Sequence, residues 1–382
     1  MKSNWKTVKL QELGRVVGGA TPSTKNEAFY GGSIPWLTPK DLADYSERYI
    51  SKGERSITEE GLNSCSTELL PAGTVLFSSR APIGYVAIAS NPICTNQGFK
   101  SVVPDTGVVD PLFLYYLLVF NKEKIKSAGS GTTFKEVSGN VMKNIEVEIP
   151  TSVDYQRKIA QILGSIDNQI ESNGRINKNL EQQIQEIFRS RFLTPGPSRD
   201  GWKKTTLADV SLIGAGGDKP KTVSAVQTTE YPYPIYSNGI RDEGLYGFSS
   251  GYKIEDESIT VSARGTIGYV CLRHRPYTPI VRLITLVPKK EIVSAKYLYL
   301  WLRNSKILGT GTTQQQLTVP DFQKTEIVVP TAEEMNSFTD VVSPLFETIW
   351  ANQAENLKLA NLRDILLPKL FSGELDISNI EL

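Results

Sequence analysis

The stretch DYQRKIAQILGSIDNQIESNGRINKNLEQQIQEIFRSRF, residues 154–192, decides how the rest of the chain must be arranged. Ile159, Leu163, Ile166 and Ile170, then Leu180, Ile184 and Ile187, follow one another in steps of three and four, the seam of a long amphipathic helix. Asn173 and Asn177 fall on seam positions, where a buried amide fixes register at some cost in stability. From Glu333 a second stretch repeats the pattern through Val342, Phe346, Ile349, Ala360, Leu367 and Leu370, and Gln353 and Asn356 interrupt it near the matching place. Neither helix can bury its stripe alone, and the break in each seam disfavours a homomeric coiled coil. The economical solution is an antiparallel pair. It is held by Ile159, Ile166, Ile170, Leu180 and Ile184 on one helix and by Val342, Phe346, Ile349 and Leu367 on the other.

What lies outside these helices is written twice. GSGTTFKEVSGNVMKNIEVEIP (129–150) returns 180 positions later as GTGTTQQQLTVPDFQKTEIVVP (309–330). GTVLFSSRAPIGYVAIA (73–89) returns at an offset of 184 as ESITVSARGTIGYVCLR (257–273), which aligns Arg80 with Arg264. PLFLYYLLV (111–119) answers AKYLYLWLR (295–303) at the same offset, and Trp5 answers Trp202 at 197. Each copy reads as mixed α and β. Residues 74–77 and 84–89 carry the strand pattern, and 111–126 and 294–308 read as helices whose aromatic residues pack a core. Ser138 and Thr318 are expected to cap the short segments after the Gly-Thr-Thr phrase. The first helix leaves copy one and reaches copy two, and the second returns. Two similar heads, inverted and held at fixed separation, suit two half-sites on duplex DNA.

Bulk properties set the remaining bounds. A chain of 382 residues, 40% apolar and 22% charged, is long enough for two or three ordinary globular domains. It has no apolar run of about 18 residues to span a bilayer. The start, MKSNWKTVKL, has no apolar signal region. Cys65, Cys94 and Cys271 stand apart, which suits a reducing compartment and disfavours structural zinc, so a cytoplasmic protein with no membrane partner is expected. Net charge is only +1, but residues 201–330 carry 16 Lys and Arg against 11 Asp and Glu, and 331–382 carry 3 against 9. The basic second copy is compatible with a phosphate-facing surface.

The succession of GGATPSTKNEAFYGGSIPWLTPKDL (18–42), GTVLFSSRAPIGYVAIA, TNQGFKSVVP (95–104) and the Gly-Thr-Thr phrase followed by QRKIAQIL resembles the specificity subunit of type I restriction-modification systems, over essentially the whole chain. The resemblance implies an α+β fold: two mixed α/β target-recognition domains joined by two long antiparallel coiled-coil helices with pseudo-two-fold symmetry. The expected segments are recognition domain 1 at 1–150, spacer helix 1 at 151–198, recognition domain 2 at 199–330 and spacer helix 2 at 331–382. It further implies a non-catalytic subunit that reads a bipartite site on double-stranded DNA. Such a subunit docks two methyltransferase subunits, recruits translocase-nuclease subunits, and binds no cofactor itself; S-adenosylmethionine, ATP and Mg belong to those partners. There are departures. Tyr155 stands where the family usually has an acidic residue, AEEMNSFT lacks the usual Gln and basic residue, and Ile280, Val281 and Arg282 replace the Asn96-Gln97-Gly98 phrase.

The rival reading is a self-sufficient DNA-acting enzyme such as a nuclease. No Pro-Pro loop of the amino-methyltransferase kind occurs, and no GxxxxGK[ST]. The single histidine, His274, reads as a polar surface residue. Candidate DNA contacts come instead from the turns and loops. Ser79 and Arg80, with Arg264 and Thr266, sit at turns ending β-rich runs; the arginines fit guanine, a phosphate, or a carboxylate at a strand end. Lys25, Tyr30, Trp36, Thr38 and Lys40 occupy a Gly-Pro-rich loop of the first copy, with Trp36 also fitting a core cap. Ser237, Asn238 and Arg241 occupy its counterpart, and Asn96, Gln97 and Arg282 complete the set. Thr132, Thr133, Thr312 and Thr313 fit either phosphate contacts or a tight connection that aims the next helix.

Overall fold

A computed structural model of the chain describes residues 4–43, 45–131, 135–194, 199–309, 316–378 and 380. The chain divides into two compact units: residues 1–175 with 352–382, and residues 176–351. The second unit is thus an insertion in the sequence of the first.

Unit one is built on a five-stranded sheet. Gly14–Gly18, Lys100–Pro104, Val75–Ser79 and Ile83–Ala89 pair antiparallel in that order, and Tyr49–Ile50 adds a parallel edge. A smaller sheet joins Arg55–Ile57, Tyr30–Leu37 and Cys94–Thr95. Trp5–Lys9 pairs with Glu146–Pro150, so the start of the unit is tied to the strand that launches the first long helix. Pro111–Phe120 is a helix because Asp110 caps it and Pro111 fits its first turn. It buries Phe113, Leu114, Tyr116, Leu117 and Leu118 against the sheet, as its aromatic pattern leads one to expect. Each fully buried side chain of this size contributes about 1.5–3 kcal/mol. The predicted helix at 111–126 is interrupted at Asn121, and Lys122–Ser127 forms a separate turn.

Unit two repeats the plan. Ser211–Ala215, Ile284–Pro288, Ser258–Val261 and Val270–Arg273 form its main sheet, and Leu245–Ser249, Tyr233–Tyr236 and Thr278–Pro279 the smaller one. Lys203–Thr206 pairs with Glu326–Val329. Its bracing helix, Ala295–Asn304, is capped by Ser294 and stops four residues before the predicted end. Ser138 and Thr318 cap their short helices as expected, each accepting the backbone N–H three residues on.

The two long helices span Val153–Phe188 and Ala332–Phe371. In unit one they run antiparallel, with Asp167 bonded to Arg363 and Asn173 to Glu355 and Asn356. In unit two Asn177 donates to the Ile349 carbonyl, and Phe188 packs on Phe338 in the same sense. The seam differs from the expectation in one respect. It is not a private helix–helix interface. Ile159 and Leu163 belong to the unit-one core, with Leu367 packed against it, whereas Ile184, Val342, Phe346 and Ile349 belong to the unit-two core, with Leu180 at its edge. Ile166 is buried and Ile170 half-buried. A stripe about 100° wide is broad enough to serve a partner helix and a globular core together.

Two polar arrangements were invisible in the sequence pattern. In unit one Arg48, 4% exposed, pairs with Glu171 at 3.0 Å and also donates to Asn168, while Tyr116 donates to Asp167 at 2.5 Å. Burial opposes the charge of Glu171, but hydrogen bonds from Arg48 prevail and hold its carboxyl below the usual range. In unit two His274 is half-buried and not a free surface residue. It stacks on Trp350 with centroids 4.1 Å apart, and burial, helped by Arg275, Arg273 and Lys296, lowers its pKa to about 4. Among the described residues no helix is long and apolar enough to cross a membrane.

Two outcomes follow from these arrangements. Arg48→Ala strands a buried carboxylate and is expected to cost about 3–5 kcal/mol in urea unfolding, with Arg48→Met/Glu171→Leu recovering most of it; a loss below about 1 kcal/mol would show the pair to be incidental. Between about pH 6.5 and 4 the unfolded chain binds a proton at residue 274 that the folded unit does not. Stability of unit two is therefore lost as pH falls through that window. His274→Phe should flatten the dependence of thermal unfolding on pH there, and an unchanged slope would refute the assignment.

Candidate nucleic-acid interface

The arginine turn and the Gly-Thr-Thr phrase, far apart in each copy, meet in space. In unit one the Val137 N–H donates to the Ser79 carbonyl, and Arg80 ion-pairs with Glu136 at 3.6 Å. Lys100 reaches the same carboxylate at 3.5 Å. In unit two the Leu317 N–H donates to the Ala263 carbonyl, and Arg264 donates to Gln316 Oε1 at 3.2 Å. The turns share their internal bonding. Ser78 donates to the Pro82 carbonyl and accepts from the Tyr85 N–H, as Ser262 does with Thr266 and Tyr269. Both turns place the residue after arginine in the left-handed region, Ala81 at φ 49° and Gly265 at 69°. Thr266 is exposed beside Arg264. Thr132, Thr133, Thr312 and Thr313 lie outside the described residues.

Several expected contacts prove to be structural. Ser79 is fully buried, its hydroxyl donating to Gly98, so it has no surface to offer DNA. Trp36 is 3% exposed with its indole N–H given to the Ala20 carbonyl; it is the core cap. Tyr30 packs edge-on against Trp36, bonds the Pro22 carbonyl and lies under Arg55. Thr38 closes a capping box with Asp41. Asn96 accepts from the Gly98 N–H to form a turn, and Gln97 accepts from Thr21 at 2.5 Å while staying exposed. Lys40 is exposed in an ion pair with Glu54, and Lys25 is exposed.

Unit two gathers its candidates differently. Asn238 is used on both sides, donating to the Val281 carbonyl and accepting from the Ala263 N–H, each at 2.7 Å. It splints the Arg264 turn to the Arg282 corner and is no free reader. The Ser237 N–H is likewise bonded to the Gly244 carbonyl, while Arg241 is exposed. Val281 and Arg282 both take left-handed backbone, φ 54° and 60°, held by N–H bonds to Gly217 and Gly216. For a β-branched residue that geometry is strained by about 1–3 kcal/mol, and it aims Arg282 outward. Arg264, Arg282, Lys219 and exposed Tyr246 line one open groove of about 500 Å³, with Asp218 its acidic member. Such a surface grips an anionic backbone and presents guanidinium forks to base edges.

Lys100, Glu136, Gln316 and Lys219 were missed by sequence reasoning. For Glu136 and Gln316 half of the signal existed, since the offset of 180 aligns them with each other, but only the fold brings them beside the arginines. Burial raises the Cys94 and Cys271 thiols to about 11, and among the described residues no group of three or more His, Cys, Asp or Glu could hold a metal ion.

Comparison with known proteins agrees with this geometry. The family described as "Type I restriction modification DNA specificity domain" matches residues 2–182 and 199–361. The chain is 32% identical over 413 residues to the type I restriction enzyme MjaIX specificity subunit of Methanocaldococcus jannaschii, covering 99% of this chain and 95% of that protein. It is 24% identical over 430 residues to the HindI specificity subunit of Haemophilus influenzae, covering 88% and 89%. The crystal structure of the type I system S subunit from M. genitalium superimposes with a TM-score of 0.64 at 17% identity, covering 96% of each chain, and shares the fold.

Proposed function

The chain belongs to the family of type I restriction-modification DNA specificity subunits, and from that premise we propose that each of its units reads one half of a bipartite site on double-stranded DNA. The family's subunit is a non-catalytic recognition component, so the chain needs no cofactor of its own. The observation that carries the reading is the duplicated turn, Arg80 beside Glu136 and Arg264 beside Gln316, built by the same backbone bonds but with different side chains around it. Equal scaffolds with unequal surroundings suit half-sites of different sequence. Recognition domains at 1–150 and 199–330 would supply base and phosphate contacts. The spacer segments at 151–198 and 331–382, which carry the helices Val153–Phe188 and Ala332–Phe371, would set half-site spacing and dock two methyltransferase subunits, with translocase-nuclease subunits joining the assembly. S-adenosylmethionine, ATP and Mg serve those partners, and base flipping falls to the methyltransferase. A cytoplasmic setting fits such an assembly. The rival reading, a self-sufficient nuclease, has no observation in its favour.

The test is a replacement of residues 199–330 by the second recognition domain of another subunit in the family. Methylated sites are then sequenced in a host co-expressing the methyltransferase. One half of the methylated motif is expected to change while the other half persists. Changes in both halves, or no methylation dependent on the chain, would overturn the reading.

A further inference from the structure

The two units differ in charge beside their aligned arginines. In unit one Glu136 stands between Arg80 and Lys100, 3.6 and 3.5 Å away, with its side chain 39% exposed and that of Arg80 36%. Elsewhere on that unit Lys40 is paired with Glu54 and Arg15 with Glu68, while Lys25 is exposed without an ion pair among the described residues. In unit two the residue at the place of Glu136 is the neutral Gln316, whose oxygen accepts from Arg264. Among the described residues no carboxylate forms an ion pair with Arg264. Arg282 and Lys219 line the same groove as Arg264, opposed only by Asp218, and none of the three cations has an ion pair among the described residues. The local balance is +1 for Arg80, Lys100 and Glu136, and +2 for Arg264, Arg282, Lys219 and Asp218.

Resting on the DNA-reading function above, we propose that position 136, with its counterpart 316, divides labour between the units. Gln316 leaves unit two to anchor the phosphate backbone, while Glu136 withholds Arg80 and Lys100 from phosphate and leaves unit one to read base edges. The physical reason is competition. A phosphate approaching Arg80 must displace a carboxylate already within ion-pair distance and is repelled by it, whereas one approaching Arg264 displaces only an amide oxygen. A carboxylate on a reading surface also accepts from a base amino group, as cytosine N4, a contact that carries sequence and no counterion release.

The experiment measures binding of the full chain, assembled with its methyltransferase subunits, to a duplex carrying its methylated motif, between 50 and 200 mM KCl. Each phosphate contact contributes about 0.9 to the slope of log K against log salt. Glu136→Gln is expected to steepen the slope by about 0.9, and Gln316→Glu to flatten it by about the same. Arg282→Gln, on the groove wall, should also flatten it, and guards against a misfolded Gln316→Glu. Slopes unchanged in all three variants, with the target still preferred over a scrambled duplex, would overturn the division while leaving the DNA-reading function intact. Loss of that preference in the unaltered complex would instead overturn the function itself.

Discussion

Asn173 is the contact on which unit one depends. It lies in the middle of a helix at 2% exposure, and a buried amide there is tolerable only if its hydrogen bonds are met. They are met from both sides. Its side chain accepts from Gln169 and donates to Glu355 and Asn356, and Asn356 in turn donates to the Ile170 carbonyl. A slip of one residue along either helix would break this set, so the amide fixes the antiparallel register that apolar packing alone leaves loose. Fixing that register brings Leu370, Phe371 and Ile377 into the core of a unit that otherwise consists of the first 175 residues. Phe371 stacks on Phe113 and Phe120, Tyr155 donates to Asp376, and Lys158 holds the carbonyls of Ser378 and Ile380.

A unit completed by its own distant C-terminal segment has a particular folding cost. The loop to be closed contains all of unit two, and closure entropy rises with loop length, though only logarithmically. Prior compaction of residues 176–351 shortens the effective loop, because that unit carries its own core around Phe188, Tyr297 and Phe338. Unit one therefore cannot reach its full core before the last thirty or so residues are made, whereas unit two can. The buried Arg48–Glu171 pair adds to the same end, since it fastens the sheet edge to the first long helix.

The parts legible in the sequence were those with local period or repetition. Heptad steps marked both long helices, the doubled phrases marked both units, and Ser138 and Thr318 announced their caps. The candidate site was legible only in part, for a physical reason. Small polar and aromatic residues in Gly-Pro-rich loops are what DNA readers use, and they are equally what builds such loops. Trp36, Ser79 and Asn238 fell on the building side because partners 16 or more positions away claimed their polar atoms, and Thr38 because its own capping box with Asp41 did. Arg48 and Asp167 had no local pattern at all, their ion-pair partners Glu171 and Arg363 lying more than a hundred positions away.

The backbone bonds from Val137 to Ser79 and from Leu317 to Ala263 explain how two readers can share a plan and still differ. Main-chain hydrogen bonds do not depend on side-chain identity, so they hold the two arginines in equivalent positions whatever surrounds them. The neighbours are then free to vary without cost to the fold: Glu136 or Gln316 beside the arginine, Pro82 or Thr266 in the turn, Asn96 or Ile280 on the facing strand end. The charges beside the two arginines are permanent ones, from Lys, Arg, Asp and Glu side chains. Differences between the two units must therefore be written in permanent charges and hydrogen-bond donors, the terms in which a base edge or a phosphate is told apart from its alternatives.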